Sequence, residues 1–170
     1  MPPSMQNKSN FPNQNQFKKE FSVAETLFVP SKNSLLKPIL INRGRLLMQL
    51  WDDSVKSKLA ITINHANNLP PRSESEKWYT FMIGRLIYDD ETIHKFKTTP
   101  ILADTQSWNE TFVFEYTNLL EEVFLEITVY DTLSNEDSRP LRENFIGMIV
   151  LPLNEANLED EPRWYELRVR

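Results

Sequence analysis

From residue 44 onward, apolar and polar side chains alternate with a period of two. Leu59, Ile61 and Ile63 share one face of a run whose other face carries Ala60, Thr62 and Asn64. Further along, Leu125, Ile127 and Val129 oppose Glu126, Thr128 and Tyr130. Such alternation marks antiparallel strands with one face on a core and the other toward water. It predicts eight strands, over residues 45–52, 58–66, 77–88, 93–99, 108–116, 123–131, 144–152 and 163–169. Clusters of turn formers separate them, among them Asp52-Asp53-Ser54, Asn67-Asn68-Leu69-Pro70-Pro71, Asp89-Asp90 and the stretch from Asn154 to Pro162. Asn and Asp tolerate left-handed backbone, so a β protein built this way manages with three glycines. Asn118 to Val123 fits a single helical turn. The whole pattern predicts an all-β, eight-stranded antiparallel sandwich over residues 42–170.

Residues 1–41 differ. They are rich in Asn, Gln, Ser and Pro, and Phe11, Phe17 and Phe21 fall at no sustained period. A segment that buries little apolar surface does not offset chain entropy, so the expectation here is a disordered linker. A short amphipathic turn over Phe17 to Phe28 is the alternative, marginal at that length. Charge divides at the same boundary. The first 41 residues hold five lysines and two glutamates, and residues 42–170 hold fourteen basic and twenty-two acidic side chains. An acidic domain argues against nucleic acid as a partner and against generic attraction to anionic membranes. Without cysteine there are neither disulfides nor thiolate metal sites. No apolar run approaches membrane-spanning length and no signal-peptide core stands at the start, so the expected address is cytoplasmic.

Several pieces, in order, resemble a C2 domain. They are Leu59 to Leu69 followed by Pro70-Pro71-Arg72, then Trp108-Asn109-Glu110-Thr111-Phe112, then Leu125 to Asp131, then Phe145-Ile146-Gly147, and last Arg163-Trp164-Tyr165-Glu166-Leu167. The opening strand after Gly44 resembles the synaptotagmin-like strand order. Within the family, four fragments, Asn68 to Arg72, Trp108 to Val113, Leu125 to Val129 and the acidic ending from Leu158 to Leu167, are similar to the first C2 domain of the RIM proteins, which regulate synaptic membrane exocytosis. A lysine-rich hairpin expected from that likeness is replaced by Tyr88-Asp89-Asp90-Glu91, with only Lys95 and Lys97 following.

The resemblance directs attention to particular residues. Calcium-binding C2 domains gather carboxylates from two loops, because the ion takes six to eight oxygens. Here the first-loop positions fall near Arg72-Ser73 and on Lys77, and the third-loop positions on Asp131, Leu133 and Asn144. Only Asp131 is retained, so no metal site and no cofactor are expected. Glu74, Glu76, Glu136 and Asp137 stand near in sequence as substitutes. Lys77 opposes them, since a unit charge at ~4 Å and a dielectric of ~20 is worth about 4 kcal/mol. The expected role of Asp131 is then to cap a loop by accepting from backbone amides. Candidate phosphoinositide or partner contacts are Lys95 and Lys97 on one side of a strand, Arg72, Arg139 and Arg142 at loop tips, and Trp78. Trp51 is expected at a partly exposed strand end, whereas Trp108 and the Trp164-Tyr165 pair are expected in the sandwich interior. His65 and His94 lack any spacing that pairs them with a nucleophile, so no enzyme is expected.

The resemblance implies a calcium-independent interaction module of a presynaptic scaffold that regulates vesicle exocytosis and neurotransmitter release. It would sit at the active zone, peripheral to the presynaptic plasma membrane. Its partners would be exocytic proteins such as SNAREs, calcium channels or other scaffolds, with weak phosphoinositide contact. The alternative is a C2 domain that targets phospholipid membranes, dependent on calcium or phosphoinositide, from a synaptotagmin- or piccolo-like protein or a lipid-modifying enzyme.

Overall fold

The computed structural model describes residues 42–73, 75–133 and 143–170. Alternation becomes strand as expected, and the described residues form two antiparallel sheets. In spatial order the first sheet holds β6 (Ser107–Glu115), β2 (Lys58–Asn67), β1 (Arg45–Asp53) and β9 (Arg163–Glu166). The second holds β4 (Glu91–Lys97), β3 (Tyr79–Tyr88), β7 (Phe124–Thr132) and β8 (Asn144–Pro152). A ninth, two-residue strand, β5 (Ile101–Leu102), pairs with Thr80 and Tyr79 of β3 and is the one departure from eight. Pro100 explains it. Proline brings no N–H to a ladder, so pairing along that edge stops after Lys97 and resumes beyond the proline. Thr98 spans the gap, its amide donating to Met82 O at 3.0 Å and its hydroxyl accepting from Met82 N at 2.9 Å.

The core lies between the sheets. Leu46, Met48 and Leu50 of β1, Leu59, Ile61 and Ile63 of β2, and Leu125, Ile127 and Val129 of β7 are each at most 1% exposed. At the edges Phe96 of β4 stacks on Phe112 of β6, ring centres 4.4 Å apart, and so joins the two sheets. Its ring lies over Gly84, where a Cβ would come within 2.0 Å of it, so the position accepts no side chain while the ring stays. The last strand leaves the first sheet at Glu166, and Arg168 then exchanges two backbone hydrogen bonds with Met148 of β8. That crossing ties the other pair of edges.

Turn chemistry follows the expectation. Among the described residues seven non-glycine positions have positive φ, and five of these are Asn or Asp, including Asn68, Asp89, Asp90 and Asp160. Gly44 (φ 93°) is different, because a Cβ there would meet Asn67 O at 2.7 Å. The helical turn expected near residue 120 is a 3-10 turn, Leu120–Glu122. Among the described residues no helix is long and apolar enough to cross a membrane.

Candidate functional site

The ends of β2, β5 and β7 and the starts of β3, β6 and β8 meet at one end of the sandwich. There β7 delivers Asp131 beside Thr80 of β3, its direct cross-strand neighbour. Asp131 is 5% exposed and Thr80 fully buried, so the carboxylate requires a partner. Arg72, on the segment entering from β2, supplies one. Its Nη2 donates to Asp131 Oδ1 at 2.7 Å and to Thr80 Oγ1 at 3.0 Å, and its Nε donates to Asp131 Oδ2. The Thr80 hydroxyl donates to Asp131 Oδ1 at 2.7 Å. The Arg72 side chain is 14% exposed, so the pair is largely shielded from solvent. A two-point guanidinium–carboxylate contact of this kind fixes orientation as well as charge.

Among the described residues Asp131 accepts from the side chains of Arg72 and Thr80, and the loop it was expected to cap, 134–142, lies outside them. The geometry corrects one expectation. Arg72 does not sit at a tip offering its charge outward. It points in, because a nearly buried carboxylate attracts the nearest cation more strongly than water does. Lys77 and Glu76 of the same segment are exposed, as are Leu133 and Asn144. Glu74, Glu136, Asp137, Arg139 and Arg142 lie outside the described residues. Among the described residues no three carboxylates or imidazoles converge to hold a metal ion.

Trp78 is half-buried beside Arg72. It lines an open groove of about 580 Å³ with Pro70, Pro71 and Leu102, and its indole N–H is screened from water with no hydrogen-bond acceptor among the described residues. Lys95 and Lys97 do share the outer side of β4, with His94 half-buried and Phe96 buried. Lys97 Nζ lies 4.7 Å from the Phe81 ring centre, a cation on an aromatic face. Arg85, across the ladder from Lys95, is paired with Glu126 of β7. Asp89 and Asp90 stand exposed at the β3–β4 turn.

The tryptophans divide differently from expectation. Trp108 is 8% exposed, with its N–H donating to Thr99 O at 3.1 Å, and Trp51 is 47% exposed at a strand end. Trp164, expected in the interior, is on the outside and 39% exposed. Strand register decides this, since Trp164 pairs with Leu47 on the outer side of β1 while Tyr165 pairs with Leu46 on the core side. The Arg45 guanidinium covers the Trp164 ring at 4.5 Å. His65 packs edge-on against Trp164, and a ring nitrogen of His94 lies 2.9 Å from Glu115 O. Among the described residues neither imidazole forms a hydrogen bond or ion pair with a carboxylate side chain.

Thr80 is the member of this site that sequence reasoning missed. The available signal was a hydroxyl in register with Met82 and Leu86, on the core side of an alternating strand.

Comparison with known proteins agrees with this architecture. The family model described as "C2 domain" matches residues 57–167. The chain is 30% identical over 172 residues to mouse "Regulating synaptic membrane exocytosis protein 1", a match covering 98% of this chain and 11% of that protein. The chain thus spans about a tenth of the length of these regulators. Among solved structures, a RIM C2 domain from Drosophila is 27% identical with a TM-score of 0.64, covering 75% of this chain and 99% of that one. A C2 domain of RIM2 is 30% identical with a TM-score of 0.59, covering 75% and 98%.

Proposed function

The chain belongs to the C2 domain family, and on that premise we propose that it is a calcium-independent protein-interaction module of a regulator of synaptic membrane exocytosis. One observation carries the calcium independence. The retained carboxylate, Asp131, already has a cation built into the chain, the Arg72 guanidinium. A divalent ion arriving there must displace that cation from a shielded pair, and among the described residues it gains one carboxylate where six to eight oxygens are needed. The synaptic setting is supported by the relatives, named as regulators of synaptic membrane exocytosis. The module acts without catalysis, on the cytoplasmic side of the presynaptic plasma membrane. The charge of the domain favours proteins over anionic bilayers as partners. Arg85 is neutralised by Glu126, and Asp89 and Asp90 stand beside the strand that carries Lys95 and Lys97.

Thermal melts in millimolar calcium and in chelator test this. A ligand at 100 times its dissociation constant adds about 2.7 kcal/mol to stability, so the two melts should coincide. A rise in Tm with calcium, or calcium-dependent sedimentation with phosphatidylserine vesicles, overturns the reading.

A further inference from the structure

At the end of the sandwich opposite Asp131, four connections meet: residues 52–57, 89–91, 116–123 and 153–163. Together they hold eleven acidic and two basic side chains, whereas the rest of residues 42–170 holds eleven acidic and twelve basic. The negative charge of the domain is therefore concentrated at one pole. Both cations there are engaged, Lys56 with Asp53 at 3.5 Å and Arg163 with Glu161 at 3.4 Å. An open groove of about 650 Å³ runs between the connection after β6 and the connection after β8. Glu121, Glu155 and Glu159 stand along it, exposed and with no ion pair among the described residues. Its accessible apolar lining comes from the half-buried Leu120 and Leu158, with Leu153 buried beneath. Next to it are two exposed apolar groups, Trp51 at 47%, bridged to Glu159 through the backbone, and Leu119 at 61%.

Two further facts show what kind of ligand this surface suits. Asp52, at the groove, already holds a hydrogen-bond donor. Tyr116 donates to Asp52 Oδ1 at 2.5 Å, and that hydrogen bond, with partial burial and the charges of Asp52 and Asp53, pushes its hydroxyl up to about 12. Yet no three carboxylates converge among the described residues, so the charge is spread along a groove and is not focused on one ion. Like charges gathered this way repel one another, and an extended polycation relieves that repulsion while its apolar side chains cover the leucines.

We propose that this groove is a docking site for a basic, amphipathic segment of a protein partner, its lysines or arginines facing Glu121, Glu155 and Glu159 and its leucine-like side chains seated on Leu120 and Leu158. The inference rests on the protein-interaction reading above and gives it a surface and a partner chemistry.

The test uses the full 170-residue chain and a fluorescent synthetic amphipathic peptide of leucines and lysines, in chelator at physiological ionic strength (~0.15 M). Anisotropy should show one-to-one binding that weakens with salt. The variant E121Q/E155Q/E159Q should weaken it about tenfold or more, while D89N/D90N/E91Q, which removes as many charges from the neighbouring turn, should weaken it less than about threefold. A peptide with alanine for every leucine should also bind about tenfold more weakly. All these substitutions fall on exposed side chains, and coincident melts verify folding. Absence of binding, equal weakening by the two triple variants, or undiminished binding of the alanine peptide each overturns the proposal. A calcium-dependent rise in Tm would defeat calcium independence and leave this result standing, so the two failures are distinguishable.

Discussion

Replacing Arg72 by leucine should be among the most damaging single changes in this domain outside the aliphatic core. It leaves Asp131 as a charge 5% exposed, with the Thr80 hydroxyl as its remaining side-chain donor among the described residues. Breaking a buried ion pair from one side costs roughly 3–5 kcal/mol, because the surviving ion stays desolvated. Arg72 is 14% exposed and Asp131 7% at their side chains, and Thr80 still donates, so the lower figure, about 3 kcal/mol, applies. In urea the midpoint should fall while the slope stays unchanged. For a domain of this size the Tm should fall by roughly 10 °C. Asp131→Asn should be milder, because the freed guanidinium is close enough to the surface to reach water. The double variant should then be less damaging than the sum of the singles, with a coupling of about 1–3 kcal/mol. Loss of less than about 1 kcal/mol in Arg72→Leu, or strict additivity, would refute the claim that the pair holds this end of the sandwich together.

Gly84→Ala should destabilise by about 1–3 kcal/mol or more in denaturant titration, since its Cβ would stand 2.0 Å from the Phe96 ring. A neutral result would mean that the ring moves freely, and Phe96→Leu combined with Gly84→Ala should recover part of the loss. Tyr116 contributes to pH dependence with a definite sign. Its neutral hydroxyl is favoured in the fold, so its contribution is complete below pH 10 and is lost as pH rises toward about 12. The melting difference between the parent chain and Tyr116→Phe should therefore shrink across that window, and a constant difference would contradict the assignment. The linker reading of residues 1–41 predicts that their deletion leaves the cooperative melt unchanged within a fraction of a kcal/mol. Loss of several kcal/mol would refute it.

Period-two alternation determined much about this protein by itself. It placed Leu59, Ile61 and Ile63 inward and Thr62 outward, and it assigned turns to Asn68, Asp89 and Asp90, whose positive φ the structure bears out. These are local properties, set by pleat geometry and by which residues tolerate left-handed backbone. Pro100 was equally visible, but its effect depended on β3 being there to pair on both sides of it. Trp164 shows where local reasoning stops. Alternation gives two faces to a strand, and only pairing with β1 decides which of them meets the core. Asp131 shows it again. The residue stood out at once, but its partners come from positions 59 and 51 residues away in the chain. Their meeting depends on β2 and β7 ending where β3 starts. The acidic pole has the same origin. Its charges can be counted along the chain, but their convergence on one groove is a consequence of folding four separate connections to the same end of the sandwich.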